Sequence, residues 1–408
     1  MKRAPLPHLG TILLALAVLV APAAWGAAAR AAETVGAAVG MPLQEAQVLM
    51  KSGKFVEALA KLRVADSVPE KTGYERFLIE DFRAYLHSRT GNHAAAAASA
   101  EAALATGHVP QAEQPRRLRM IASLYFQAKA YDKAIDYARR FQETAGADSG
   151  MQLLVAQSYY LLKDYDNAIS EISALNGTVK QAGGTPEEAW LQLLMSSAYH
   201  AGRNDVRRAA LMDLVRRYPS PAYWTDLLDL IATGLGGSDR MMLEVNRLRL
   251  AAGVLQSSQD FMEAAQLALM AGLPGEARAI LEQGVAKGIL GKTGDGREQR
   301  LLAAARAQAV EDSGTLPSSA GSPGEAAVLG EAYASYGDHA KAVSLYKSAL
   351  AAKDGVDTDL ARLHLAWSFL SLDDRKSARQ TLAEISRNSP LADLAKALAL
   401  LADRPVTF

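Results

Sequence analysis

Residues 286–293 read Ala-Lys-Gly-Ile-Leu-Gly-Lys-Thr, a relaxed form of the string with which a loop binds nucleotide phosphates. In such a loop successive backbone N–H groups cradle phosphate oxygens, the Lys neutralises them and the Thr hydroxyl holds magnesium. The chemistry needs a strand before the loop and a helix opening straight after it. Here Ala286 stands in place of the first Gly, the preceding EARAILEQGVA (276–286) reads as a helix, and Gly294, Asp295 and Gly296 follow where the helix should begin. No strand ending in Asp stands nearby. The context makes 287–296 a glycine-rich turn rather than a nucleotide site.

Other chemistry-bearing patterns are thinner still. The histidines are His8, His87, His93, His108, His200, His339 and His364, and none pairs with another at i, i+4, so a helical zinc motif is absent. There is no G-x-S-x-G string to build a nucleophile elbow. There is no cysteine, which removes thiolate nucleophiles, zinc ribbons, disulfides and lipid attachment to a cysteine together. The carboxylates are scattered over positions that read as solvent-facing, with no pair at a spacing that demands acid–base work. Asn176-Gly177-Thr178 spells a glycosylation sequon but reads as a turn. No catalytic, metal-binding or cofactor-binding residue is expected, and a non-enzymatic role follows.

The bulk composition narrows the partners. Lys plus Arg is 44 and Asp plus Glu is 44 in 408 residues, so nothing electrostatic points to nucleic acid or an anionic membrane. The N-terminus points to export. Lys2 and Arg3 precede the apolar run TILLALAVLV (11–20) and then the small-residue zone APAAWGAAARAAET (21–34). Charge, a short apolar core and small residues in that order describe a secretory signal peptide. The core falls short of the ~20 residues a spanning helix needs, and cleavage is expected within 26–32, removing about residues 1–31. No later stretch is long and apolar enough to span a bilayer, so no integral membrane span is expected after cleavage. The expected location is the periplasm.

The elements that carry these residues are helical and repeat. Alanine supplies much of the 50% apolar content, against 6% aromatic, and small helix-forming residues let helices approach closely. KAYDKAIDYARR (129–140) is echoed by KDYDNAISEISA (163–174): Ala134 and Ala168, Tyr131 and Tyr165, and Tyr125 and Tyr159 are each 34 apart. LGEAYASYGDHAKAVSLYKSAL (329–350) carries Leu329-Gly330 and Tyr333, then Gly337-Asp338, then Ala342 and Tyr346. With a further copy at 359–390 using Leu365, Ala366, Phe369, Ala378 and Leu382, ending at Pro390, the chain resembles the tetratricopeptide family, whose period is ~34 residues. Weaker copies stand at 52–62, 90–100 and 271–281, and another pair is expected over 187–218. The resemblance implies an all-α fold, an α-α superhelical solenoid of helix-turn-helix repeats, in which neither helix of a pair buries its face alone and stacked neighbours supply the cover.

The array is expected to be uneven. A tetratricopeptide-like array should cover 40–220, with a Gly-containing insertion at 174–186 between helices. Degenerate helical repeats should cover 221–310. The polar, Ser/Gly/Pro-rich EDSGTLPSSAGSPG (311–324) reads as a linker, leading to a C-terminal array and capping helix at 325–408. In the family the first helices line a concave groove. Carried over by register, the groove positions are Tyr85, Arg89, Arg119, Ser123, Phe126, Gln127, Gln157, Tyr160, Glu331 and Trp367, with Tyr159 placed in the core. Polar residues with aromatic anchors suit protein or peptide partners, although the family's carboxylate clamp is not recognisable. The expected function is a protein–protein interaction scaffold of the bacterial cell envelope. The alternative is a peptidoglycan- or polysaccharide-binding module, whose sugar-stacking rings would be Trp190, Trp224 and Trp367.

Overall fold

The computed structural model describes residues 34–291, 296–352 and 355–403. The expected signal peptide, and Lys292 and Thr293 of the phosphate-loop string, lie outside them. All regular structure among the described residues is helical, and consecutive helices pack against each other in pairs. None of these helices is long and apolar enough to cross a membrane. The chain divides after Arg203 into two compact units.

The first unit contains α1 (Ala37–Lys51), α2 (Phe55–Asp66), α3 (Gly73–Arg89), α4 (His93–Ala105), α5 (Gln114–Gln127), α6 (Tyr131–Ala145), α7 (Ser149–Leu161), α8 (Tyr165–Gln181) and α9 (Glu188–His200). Local chemistry starts several of these helices. The side chains of Asn92, Asp148 and Asp164 accept the otherwise orphaned backbone N–H three residues on, and Thr72 forms a reciprocal capping box with Glu75; such caps are each worth about 1 kcal/mol. The turns inside the pairs are three residues long, with one residue in the left-handed region. Gly53 and Gly91 fill that place in the first two pairs, but Lys129 and Lys163 fill it in the next two, at φ of 60° and 64°.

The small residues named by the repeat stand where helices cross. Ala122, Ala134, Ala156 and Ala168 are fully buried, and Tyr125, Tyr137 and Phe141 pack around the first two. A larger residue at such a crossing pushes the pair apart, at a cost of about 1–3 kcal/mol. The expected insertion at 174–186 is mostly helix: α8 continues to Gln181 because Ile172 and Leu175 stay on its buried face. Asn176 is buried with it, so the glycosylation reading fails on access.

The second unit contains α10 (Asn204–Arg217), α11 (Pro221–Gly234), α12 (Asp239–Ala251), α13 (Ser258–Met270), α14 (Pro274–Ala286), α15 (Arg297–Ser313), α16 (Pro323–Ser335), α17 (His339–Ala352), α18 (Thr358–Ser371), α19 (Arg375–Ala383) and α20 (Ala392–Ala402). The pairs α13–α14, α16–α17 and α18–α19 keep the repeat's buried small residues, Ala277, Ala342 and Ala378. The last helix, α20, packs back against α10 and α12, with Arg208 of α10 paired to Asp393 at 2.9 Å.

Residues 311–324, expected as a linker between arrays, lie inside this unit. Leu316 and Ala320 pack on the core formed by Ala326, Leu329, Leu345 and Ala349. The Tyr333 hydroxyl donates to the Pro317 carbonyl at 3.0 Å and the Tyr336 hydroxyl to Asp312 at 2.6 Å. α15 runs to Ser313 and α16 starts at Pro323, so only the middle of the segment is irregular, and a polar composition does not prevent neighbouring side chains from tying it down.

Candidate functional site

The second unit buries a network of charged side chains that come from four helices, α12, α14, α16 and α18. Arg247 of α12 is its centre. Its Nε and Nη2 donate to the two oxygens of Glu276 on α14, at 2.7 and 2.6 Å. Nη2 also donates to Glu331 of α16 at 2.9 Å, and Nη1 to Glu244, one turn back on α12, at 2.7 Å. Arg240 donates to the other oxygen of Glu331. His364 of α18 completes the set: its Nε2 lies 2.9 Å from Glu244 Oε1. A carboxylate oxygen only accepts, so Nε2 carries the proton there. The 3.2 Å approach of Arg247 Nη1 to the same nitrogen is then a packing contact between two donors.

The charges belong in so dry a place only because they are paired. Burial pushes the Glu244 carboxyl up, but Arg247 and His364 outweigh it and bring it down to about 2. Glu331 follows the same pattern, raised by burial and lowered further by His364, Arg247 and Arg240. Burial works against the Arg247 charge, and Glu244 and Glu276 reverse it, leaving the guanidinium firmly protonated. The Tyr346 hydroxyl, raised well above its ordinary value by burial first and Glu331 second, stays a neutral donor.

Glu244, Glu331 and His364 each offer one ligand atom within 4.8 Å of the others, and two carboxylates with an imidazole are a set that a divalent cation accepts. The arrangement does not fit a metal. Arg247 is the cation these groups hold, and an ion placed among them would meet a fixed positive charge within about 3–4 Å.

Beside the network lies a cavity of about 510 Å³. Arg247, Glu276, Glu331 and His364 form one wall, and Leu250, Ala279, Ile280, Tyr336, Tyr346 and Trp367 supply most of its apolar surface. Gly275 brings α14 against the turn between α16 and α17: a Cβ there would lie 2.7 Å from the Ser335 carbonyl oxygen and 2.8 Å from the Tyr336 ring. Gly330, the repeat's small residue on α16, has the Tyr346 ring 3.0 Å from where its Cβ would be.

Two of the expected groove residues, Glu331 and Trp367, line this cavity. Glu331 is buried in the ion network rather than open to a partner. The other eight lie in the first unit. Arg119 is half-exposed, ion-paired with Asp148 and stacked 4.7 Å over the Phe141 ring. Ser123 is buried and its hydroxyl donates to the Arg119 carbonyl at 3.0 Å, which takes it out of the groove. Phe126 is half-buried, edge-on to Tyr131, and Gln127 is exposed. Gln157 is half-buried. The Tyr160 hydroxyl is 2.9 Å from Ser196 Oγ, with its ring against Tyr165 and His200. Tyr85 packs on the α1–α3 core, and Arg89 is exposed, 5.4 Å over the Phe55 ring. Tyr159, expected in the core, is half-buried against it, and its hydroxyl accepts from Arg139 at 3.2 Å. Of the three rings for sugar stacking, Trp190 and Trp224 are buried.

The carboxylates were expected on solvent-facing positions, and among the described residues four of them are buried: Glu75, Glu244, Glu298 and Glu331. The network escaped the sequence because, apart from Glu244 and Arg247 on one helix, its members meet across separations of 29 to 120 residues. One signal existed: Glu244 and Arg247 are interleaved with the buried Leu243, Val245 and Leu248 on α12, where a solvated pair would fall on the opposite face. The phosphate-loop string resolves similarly. A helix, α14, precedes it, and the Glu298 carboxylate accepts the Gly291 N–H at 2.5 Å, so an acidic side chain sits against a backbone donor that a phosphate would need.

No protein-family model matches the chain, and no curated protein matches it. Among solved structures, a tetratricopeptide repeat protein from Parabacteroides merdae aligns over 82% of this chain and 100% of its own, at 13% identity and a TM-score of 0.33. The C-terminal part of a TPR repeat-containing protein from Cytophaga hutchinsonii aligns over 79% of this chain and 99% of its own, at 12% identity and a TM-score of 0.32. Helices in consecutive pairs, buried alanines at their crossings and the 34-residue echo between α5–α6 and α7–α8 make this an all-α protein of tetratricopeptide-like fold.

Proposed function

We propose that the chain is a non-enzymatic interaction scaffold of the bacterial cell envelope that holds partner proteins or peptides on the first helices of its pairs. The observation that carries this is the composition of α3, α5 and α7 in the first unit. Most of their Ala, Leu and Ile positions are spent on the core, while Arg89, Arg119, Gln127, Gln157 and Tyr160 at the groove register keep all or part of their surface. Arg and Tyr of this kind supply much of the energy of protein interfaces. The envelope location is supported by the charged, apolar and small-residue order of residues 1–31 and by the absence of cysteine.

The test is capture from envelope extracts with the processed chain, beside an Arg119→Ala/Tyr160→Ala variant of unchanged circular dichroism. A reproducible partner is expected with the unaltered chain and depleted at least tenfold with the variant. Failure to recover any partner with folded bait overturns the proposal.

A further inference from the structure

The cavity of the second unit is built for something other than the ion network beside it. Each carboxylate in its wall is already paired: Glu276 takes two hydrogen bonds from Arg247, and Glu331 is shared by Arg247 and Arg240. Arg278, also on α14, is different. It is half-buried, lines the cavity, and makes no ion pair or hydrogen bond among the described residues. Its charge is felt by Tyr336 across the wall. Two neutral groups stand with it. Gln283 and Tyr346 line the cavity with no side-chain hydrogen bond among the described residues, and burial holds the Tyr346 phenol protonated as a donor. Ser335, Ser368 and Ser371 also line it, but their hydroxyls are spent on the carbonyls of Ala332, His364 and Trp367; apart from His339, the rest of the lining is apolar or aromatic.

An unpaired guanidinium next to unspent donors in an apolar-walled cavity calls for an anionic acceptor attached to an apolar body. The volume, about 510 Å³, falls in the ~300–1,000 Å³ span of small-molecule sites. We infer that this cavity binds a small monoanionic carboxylate with an apolar or aromatic tail, the carboxylate seated on Arg278 and the tail against Ile280 and Trp367. The inference stands apart from the scaffold proposal, which concerns the first unit.

The probes are 4-phenylbutyrate and its charge-reversed counterpart 4-phenylbutylamine, titrated into the processed full chain by calorimetry and by tryptophan fluorescence. Saturable binding of the acid is expected, at least tenfold tighter than the amine, with the fluorescence change lost in Trp367→Phe. Arg278→Gln should weaken the acid at least tenfold and abolish the preference over the amine, and Arg278→Lys should restore most of it. Equal affinity for acid and amine overturns the inference without any variant. So does an absence of saturable binding across phenylalkanoates of two to six methylenes, or unchanged affinity in a folded Arg278→Gln.

Discussion

Glu244 on α12 and His364 on α18 meet at 2.9 Å although 120 positions separate them. Arg247, one turn from Glu244, touches both and reaches Glu276 and Glu331 as well. The most informative contact in the second unit is thus one that joins its degenerate helices to its most regular repeats.

Arg247→Met should destabilise the second unit by about 3–5 kcal/mol, because it leaves Glu276 unpaired and takes one partner each from the buried Glu244 and Glu331. Adding Glu244→Gln and Glu276→Gln should recover a substantial part of the loss, since the uncompensated charges then go. Urea unfolding followed by circular dichroism measures both. If the triple variant is no more stable than Arg247→Met, the network's charges are not what the arginine balances.

Acid should unfold the second unit in two stages. Burial lowers the His339 pKa below its ordinary value, so protonation opposes the fold and stability starts to fall below about pH 6.5. Glu244, at about 2, and Glu331 are depressed in the fold. Their contribution is complete above the ordinary carboxylate range near pH ~4.3 and is lost as pH falls toward 2. The urea midpoint between pH 7 and pH 3 should decline gently and then steeply. Glu244→Gln should lower the whole curve and flatten its acid limb; an acid limb of unchanged slope would remove Glu244 from the account.

Lys163→Gly should stabilise the first unit by about 0.5–1 kcal/mol, against the usual sign of a Gly substitution. Lys163 holds φ of 64° between α7 and α8, a conformation that costs a residue with a Cβ about 1–2 kcal/mol, and the gain is reduced by the added freedom of the unfolded chain. The midpoint of thermal unfolding reports it. A fall in midpoint would mean that the lysine side chain contributes a contact worth more than the strain.

Asn176→Leu should raise stability by about 1–2 kcal/mol. Both polar atoms of the Asn176 amide are buried without a partner, and removing an unsatisfied polar group at similar shape relieves its desolvation cost. A thermal midpoint that falls would show that the amide has a partner that the fold alone does not supply.

Gly275→Ala should cost about 1–3 kcal/mol. Its new Cβ meets a backbone oxygen of the α16 end, which cannot rotate away as a side chain could. Chemical denaturation measures the loss, and Gly53→Ala in the first unit, where a Cβ meets nothing within 4 Å, separates crowding from the strain of a left-handed backbone.

The local periodicities were enough to give the helices, their pairing and the alanines at the crossings. Ala134 and Ala168, or Tyr131 and Tyr165, repeat because the same crossing recurs, and a crossing between adjacent helices involves residues close in the chain. Composition was a poorer guide to what connects helices. Residues 311–324 read as a linker, yet Tyr333 and Tyr336 tie them down; residues 174–181 read as an insertion, yet they continue α8.

The candidate site divides along the same line. Glu331 and Trp367 could be placed by repeat register, because register is local. Whether Glu331 faced a partner or an arginine could not, and Ser123 shows the same difficulty from the buried side. Arg247, Glu276, Arg278 and His364 have no motif between them. They are brought to one cavity because α12, α14, α16 and α18 converge on it, while α20 returns to pack on α10 and α12. The amino-acid sequence by itself determined that this is an all-α chain of small-residue helix pairs, because helix periodicity and close crossings act over a few dozen residues. Only the tertiary structure decided which charges are buried together and that, among the described residues, Arg278 in the cavity wall is left without an ion pair, because pairing energies depend on distance through space and burial, and neither is written in sequence separation.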